Sequence, residues 1–208
     1  MKKITFLLMT LLISFYVSSQ GLYPEGCYMN YEELKSKTPS KNYELTIEKR
    51  TNSDIKMNGG NDYKLISPDK SIKRKVLKKE ILAYSDGDSL FINCLPYKLQ
   101  TWYAKIISDG QYFVFIAGIP MDKTMQSKEM QAGMAFGAVG GAFAGASLAM
   151  KRYLYVLEKE SNEVKMIDSE IMIELLSEYP DLLEKYNSDS RKMEIPTQIE
   201  YLILLNDK

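Results

Sequence analysis

The chain is predicted to adopt an α+β fold. It combines an antiparallel β meander of about seven to nine strands, a Gly/Ala-rich apolar helix inserted before the last hairpin, and two or three C-terminal helices. Three observations predict it. Apolar and polar residues alternate over most of 43–120, the period of a half-buried strand. Gly, Asn and Asp pairs punctuate that region at hairpin spacing. Beyond Asp168 the apolar spacing widens to three and four, behind Asp and Pro residues that open helices.

Residues 1–19 read as a secretory signal: Lys2 and Lys3, an apolar stretch from Ile4 to Val17, then Val17-Ser18-Ser19 with small residues at the cleavage positions. Cleavage after Ser19 leaves one β-rich domain, 20–208, with Gln20 at its start. The competing reading, an uncleaved anchor, is disfavoured because the stretch is short of the ~20 residues a span takes. A lipoprotein site does not fit, since Cys27 follows Pro24-Glu25-Gly26. The expected location is therefore outside the cytoplasm, in a periplasm or at a membrane.

Tyr31 to Lys35 reads as one or two helical turns, ended by Pro39. Strand-like runs follow: Leu45 and Ile47, then Ile55 and Met57, Tyr63 to Ile66, Lys75 to Tyr84, Ser89 to Leu95, Thr101 to Ile107 and Tyr112 to Ile119. Asn58-Gly59-Gly60-Asn61-Asp62 is a strong turn signal, because Gly and Asn tolerate positive φ. Asp86-Gly87 and Asp109-Gly110 sit between successive runs as hairpin loops do. Residues 151–167 form one more hairpin, with Tyr153, Tyr155 and Leu157 on one face. Asp168 reads as the N-cap of a helix through Leu176, Pro180 as the start of the next with Leu182, Leu183 and Tyr186 inward, and Pro196 as the start of the last.

Met130 to Met150 stands apart: it is without charge and holds seven Ala and five Gly. Gly133, Gly137, Gly141 and Gly145 recur every fourth residue, which on a helix makes a smooth strip where another backbone can approach closely. Interior glycines cost a solvated helix about 1 kcal/mol each relative to Ala, and close packing offsets that cost. Three readings stay open: a self-associating membrane helix, a soluble or surface-lying helix packed on itself or its domain, and a flexible loop. A single crossing would put 151–208 on the far side of the membrane from the meander, so the hairpin at 151–167 could not then join it. Two crossings need about 40 residues.

Several motifs together resemble a group of uncharacterised exported Bacteroidetes proteins. These are Gly26-Cys27-Tyr28, Glu32-Glu33-Leu34-Lys35 and Pro39-Ser40, then Ala83 to Asn93, Gly110-Gln111-Tyr112-Phe113-Val114-Phe115, Pro180-Asp181-Leu182 and Tyr201 to Asn206. Some members of that group carry a similar apolar insert. The resemblance implies an envelope protein and supplies no catalytic residues. Cys27 stands where the group has an aliphatic residue, so a bridge from it would be peculiar to this chain.

With 27 basic and 27 acidic residues and no His, imidazole-based catalysis is excluded, and the basic excess of a nucleic-acid binder is missing. An apolar share of 45% against 26% charged is that of a globular chain. Cys27 and Cys94 are either a disulfide, if the compartment is oxidising, or two buried thiols. The basic run Lys70, Lys73, Arg74, Lys75, Lys78 and Lys79 reads first as a solvated strand face or edge protection, and second as a contact for anionic lipid headgroups. Asp86-Gly87-Asp88-Ser89 is fully explained as a turn without calcium. No phosphate loop or nucleophile elbow occurs, so no catalytic residue, cofactor or metal ligand is expected. The expectation is a non-enzymatic protein that associates with a membrane or with itself through 130–150. The alternative is a small-molecule or lipid-binding module whose sheet surrounds an apolar cavity.

Overall fold

The computed structural model describes residues 23–122 and 145–208. The signal at 1–19, and Gly133, Gly137 and Gly141 of the glycine series, lie outside the described residues. Nine strands make one antiparallel sheet: β1 (Gly26–Tyr28), β2 (Thr46–Lys49), β3 (Tyr63–Ile66), β4 (Ala83–Ser85), β5 (Leu90–Asn93), β6 (Tyr103–Asp109), β7 (Tyr112–Ala117), β8 (Tyr153–Glu158) and β9 (Glu163–Met166). The spatial order is β1-β4-β5-β6-β7-β8-β9, with β2 paired to β3 and β3 joined to β6. The α+β class and the meander are as expected from the alternation.

β6 divides the sheet. Its first half pairs with β5 through Asn93↔Tyr103, Ile92↔Ala104 and Phe91↔Lys105. Its second half pairs with β7, after an irregularity between Ile106 and Ser108. β3 meets β6 only at Tyr63↔Tyr103. Because β5 already holds one edge of Tyr103, β3 and β7 take successive stretches of the other edge and diverge from it.

Alternation then distributes the core. One face, common to the whole sheet, carries Tyr28, Ala83, Ile92, Ala104, Phe113, Phe115, Tyr155 and Leu157, with Leu34 and Leu99 packed on it. The other face is split where β3 and β7 part. Cys27, Tyr84, Phe91 and Tyr103 pack with Leu65, Leu77, Ile81 and Trp102. Val114, Leu154 and Val156 lie under the C-terminal helices α3 (Ser169–Leu176), α4 (Pro180–Ser188) and α5 (Ile195–Asn206). The caps are those the sequence announces: Asp168 accepts from the amides of Glu170 and Ile171, and Pro180 and Pro196 occupy first-turn positions.

Two runs expected as strands are helical. Residues around Ile55 and Met57 form helix α2 (Asn52–Asn58), following α1 (Tyr31–Lys35). The Thr51 hydroxyl accepts from the Asp54 amide and Gly59 closes the C-terminus at φ 61°, so the polar residues around 51–54 cap a helix. Ile55 is buried and Met57 is 81% exposed, which removes the apparent alternation. Val76–Glu80 is a π-helical turn instead of a strand. It buries Leu77 and, four residues on, Ile81, a helical spacing. The basic run therefore lies along this turn and the loop before it, not along a strand.

Candidate functional site at the root of the apolar segment

The apolar segment is the connection of a hairpin. β7 and β8 pair over six residues, ending at Ala117↔Tyr153, so the chain leaves the sheet and returns to it at neighbouring positions. The hairpin at 151–167 thus joins the main sheet, and one full membrane crossing within that connection is incompatible with the pairing. The roughly 35 residues between Ala117 and Tyr153 fall short of the ~40 that two crossings take.

Four pieces of backbone converge where the chain leaves and returns: the 59–62 turn, the 98–102 loop, 118–121 and 149–152. Asn61 links them. Its Oδ1 accepts from the Gly118 amide at 2.7 Å, its Nδ2 donates to Thr101 O at 3.1 Å, and its own amide donates to Thr101 O at 2.9 Å. The side chain fills the wedge between β3 and β7 and is 1% exposed. The Gln100 side chain accepts from the Gly60 amide at 2.8 Å and donates to Ile119 O at 3.3 Å. The Met121 amide donates to Lys98 O at 2.7 Å, and Tyr155 donates its hydroxyl to Gly118 O at 2.9 Å.

Two arginines complete the root. The side chain of Arg50, 1% exposed, donates to Asp54 Oδ2 at 2.8 Å, Gly59 O at 2.7 Å and Asn61 O at 2.9 Å, so both the cap of α2 and the turn after it are held by one guanidinium. That contact keeps the Asp54 carboxyl down at about 2. Arg152 donates to Asp62 Oδ1 at 2.6 and 2.8 Å, to Ala149 O at 2.8 Å and to Lys151 O at 2.9 Å. It thereby ties the end of the helical stretch 145–150 to the same turn. A side chain on Gly60, at φ +91°, would stand 2.9 Å from the Arg50 guanidinium and 3.0 Å from Thr101 O, so only Gly fits.

The 98–102 loop stores strain. Lys98, Gln100 and Trp102 all have positive φ, at 60°, 54° and 79°. Non-Gly residues take this conformation at a cost, and only where the surroundings over-determine it. Here the hydrogen bonds of Asn61, Gly60 and Met121 do so. Trp102 is buried beneath two cations, with Lys78 Nζ 4.7 Å and the Arg74 guanidinium 5.8 Å from its ring.

Beside the root lies an open apolar groove of about 670 Å³, lined by Tyr97, Leu99, Met121, Tyr155, Val164 and Met166, among others. It is on the common face of the sheet at the β8–β9 side. The sheet does not wrap around it: β1 and β9 are both edges.

Among the residues singled out from sequence, Gly145 alone of the glycine series is described. It is exposed, and a Cβ on it would meet nothing within 4 Å. Cys27 and Cys94 are free, fully buried thiols in different clusters of the core. The bridge between them is not formed. Burial pushes the Cys27 thiol up to about 11, and Cys94 further still. Among the described residues no group of three or more His, Cys, Asp and Glu is placed to hold a metal ion, and no helix is long and apolar enough to cross a membrane. No sequence motif marks Gln100 or Arg50 as part of this root; the local signal is the Asn-Gly-Gly-Asn-Asp turn, which marks a special backbone but not its partners.

At the far end of β6, Asp109 is paired with Lys159 and lies 4.0 Å from Lys37. Tyr23 sits against it, its hydroxyl pushed up by burial and by the Asp109 charge. This cluster ties the β6–β7 and β8–β9 turns to the N-terminal segment.

No curated protein and no solved structure matches the chain. A family model does match, from the first residue of β1 to the last of the chain: over residues 26–208 the protein belongs to a family of unknown function (DUF6563).

Proposed function

We propose that this is an exported protein of the cell envelope, without catalytic activity, whose sheet domain presents the Gly/Ala-rich segment 130–150 for association with a membrane or with a second copy. The single observation that carries the reading is the built root. The connection that carries the segment is held side by side where it leaves the sheet, at 118–119, and where it returns, at 149–152, by Asn61, Gln100 and Arg152 on strained backbone, more fixation than a passive tether needs. Gly145, facing open space at the described end of the segment, leaves room for a close neighbour. The clamp favours a segment that lies on a surface or packs against another copy over one that spans.

The test replaces residues 124–144 by a short Gly/Ser turn in the mature protein. Circular dichroism and the melting temperature should stay close to those of the parent, while sedimentation of assemblies and flotation with lipid vesicles should both be lost. A parent protein that is monomeric and fails to float would overturn the proposal.

A second reading has its own observation. The groove at Tyr97, Leu99, Tyr155 and Met166 has the size and apolar lining of a small-molecule site, so a lipid-like ligand bound there is the alternative. Saturable binding of a fluorescent fatty acid that Val164→Trp abolishes would favour it.

A further inference from the structure

The apolar segment and the basic run are far apart in sequence, yet the fold brings them to one end of the sheet. Lys78 and Arg74 cover the ring of Trp102, the neighbour of Thr101, whose carbonyl accepts from Asn61, which in turn holds Gly118 at the departing end of the segment. From Asp69 to Glu80 the chain carries six cations and two acids, in a protein whose total charges balance. Asp69 is occupied locally, accepting from the amide and hydroxyl of Ser71, and Glu80 pairs with Lys75 at 3.1 Å. Among the described residues, Lys70, Lys73, Arg74, Lys78 and Lys79 have no carboxylate partner, and all but the half-buried Lys78 are exposed.

Folding concentrates this charge at a cost. Like charges crowd a π-helical turn and the stretch leading into it, and π-helical turns are often found at functional sites. The ammonium of Lys78 is disfavoured by burial and by Arg74. Two of the cations, Arg74 and Lys78, rest on an aromatic face instead of on carboxylates, which leaves their charge unspent. A cluster of basic side chains without carboxylate partners is drawn to the negative surface of an anionic membrane.

Resting on the membrane reading above and making it specific, we propose that Lys70, Lys73, Arg74, Lys78 and Lys79 around Trp102 dock on an anionic lipid bilayer. The end of the sheet that carries the apolar segment is thereby pressed against the headgroups.

The experiment is co-sedimentation of the mature protein with vesicles of phosphatidylcholine alone and with phosphatidylglycerol added. Lys73→Gln and Lys79→Gln remove two exposed cations that do not touch Trp102, so the fold should persist, as read by its melting temperature. About 1 kcal/mol per cation near an anionic surface is roughly fivefold in affinity, so the double variant should bind the mixed vesicles about 25-fold more weakly, and high salt should release the parent. Equal binding of parent and double variant, or of parent to both vesicle types, overturns this proposal while leaving a membrane role for the apolar segment. Binding to neither vesicle, with assembly in solution intact, overturns the membrane reading as well. Tighter binding to duplex DNA than to mixed vesicles would assign the patch to a different polyanion and also overturn the proposal.

Discussion

Replacing Asn61 by Ala tests whether the wedge between β3 and β7 is held as described. The substitution removes the acceptor of the Gly118 amide, a 2.7 Å bond between two buried groups. The geometry offers that amide no second partner, and a buried donor left unsatisfied costs about 1–3 kcal/mol. Thr101 O keeps the backbone amide of Asn61, so it is not orphaned. The contact to Gln100 O, at 3.4 Å, is weak. The small void left by the amide group adds about 1 kcal/mol. The expected total is about 2–4 kcal/mol, a large share of the 5–15 kcal/mol typical of a domain. With a urea m-value of about 2 kcal/mol/M, the midpoint should fall by about 1–2 M at unchanged m. Hydrogen exchange at Gly118 should accelerate more than at Val114, in mid-strand. Asn61→Asp should rescue nothing, because it turns a second oxygen toward Thr101 O. A midpoint shift under ~0.2 M for Asn61→Ala would refute the reasoning, since a buried unpaired amide cannot be that inexpensive.

Arg152→Met breaks a partly exposed contact to Asp62 and frees Ala149 O and Lys151 O; about 1–2 kcal/mol should be lost in urea titration, and thermolysin should cut near 145–152 faster than in the parent. Cys27 and Cys94 should be silent to a thiol reagent in the native protein and both react in denaturant, because burial disfavours their thiolates; a bridge seen by non-reducing mass spectrometry would contradict this. The raised thiol values also make stability decline as pH climbs from about 9 toward 11, since the unfolded thiols ionise first. Asp54 works in the opposite direction: Arg50 lowers its carboxyl to about 2, so its contribution is complete above about pH 4 and fades as pH falls toward 2, and Asp54→Asn should flatten the melting temperature over that window. Gly110→Ala would set a methyl 2.5 Å from the Cβ of Asn206, forcing α5 off the β6–β7 turn and lowering stability by about 1–3 kcal/mol in a thermal melt.

How much was legible in the sequence follows from how local each determinant is. Asp168 announces its helix because a cap bonds amides two or three residues away, and Pro180 and Pro196 announce theirs because a fixed φ and a missing N–H suit a first helical turn. The β8–β9 hairpin is legible because Tyr153, Tyr155 and Leu157 keep period two. Ile55 and Met57 mislead because two apolar residues fit either period, and the deciding term is the Thr51 hydroxyl on the Asp54 amide. Leu77 in the π-helical turn and Ile81 at its C-terminal cap are buried in one cluster, while the lysines between them mimic the polar half of a strand. Of the root only the turn Asn58–Asp62 is legible, and not its partners. Asn61 reaches partners 40 and 57 residues away, and only the parting of β3 and β7 along β6 brings them together.

The position of the apolar segment has a further physical consequence. Closing a loop of roughly 35 residues instead of a tight turn of five costs only about 2 kcal/mol, and the six residue pairs between β7 and β8 stand on both sides of that closure. The segment therefore burdens the sheet little, and its chemistry is free to differ from the core's. What a long insert loses is direction, and the root supplies it. Arg152 fixes the returning end to Asp62, Gln100 fixes the departing end at Ile119, and both grip the single turn around Gly60 and Asn61. Both ends of the connection are thus tied to one turn backed by Arg50 and α2, beside the cations over Trp102, as well as to the strands they continue and to Tyr155 of the common face.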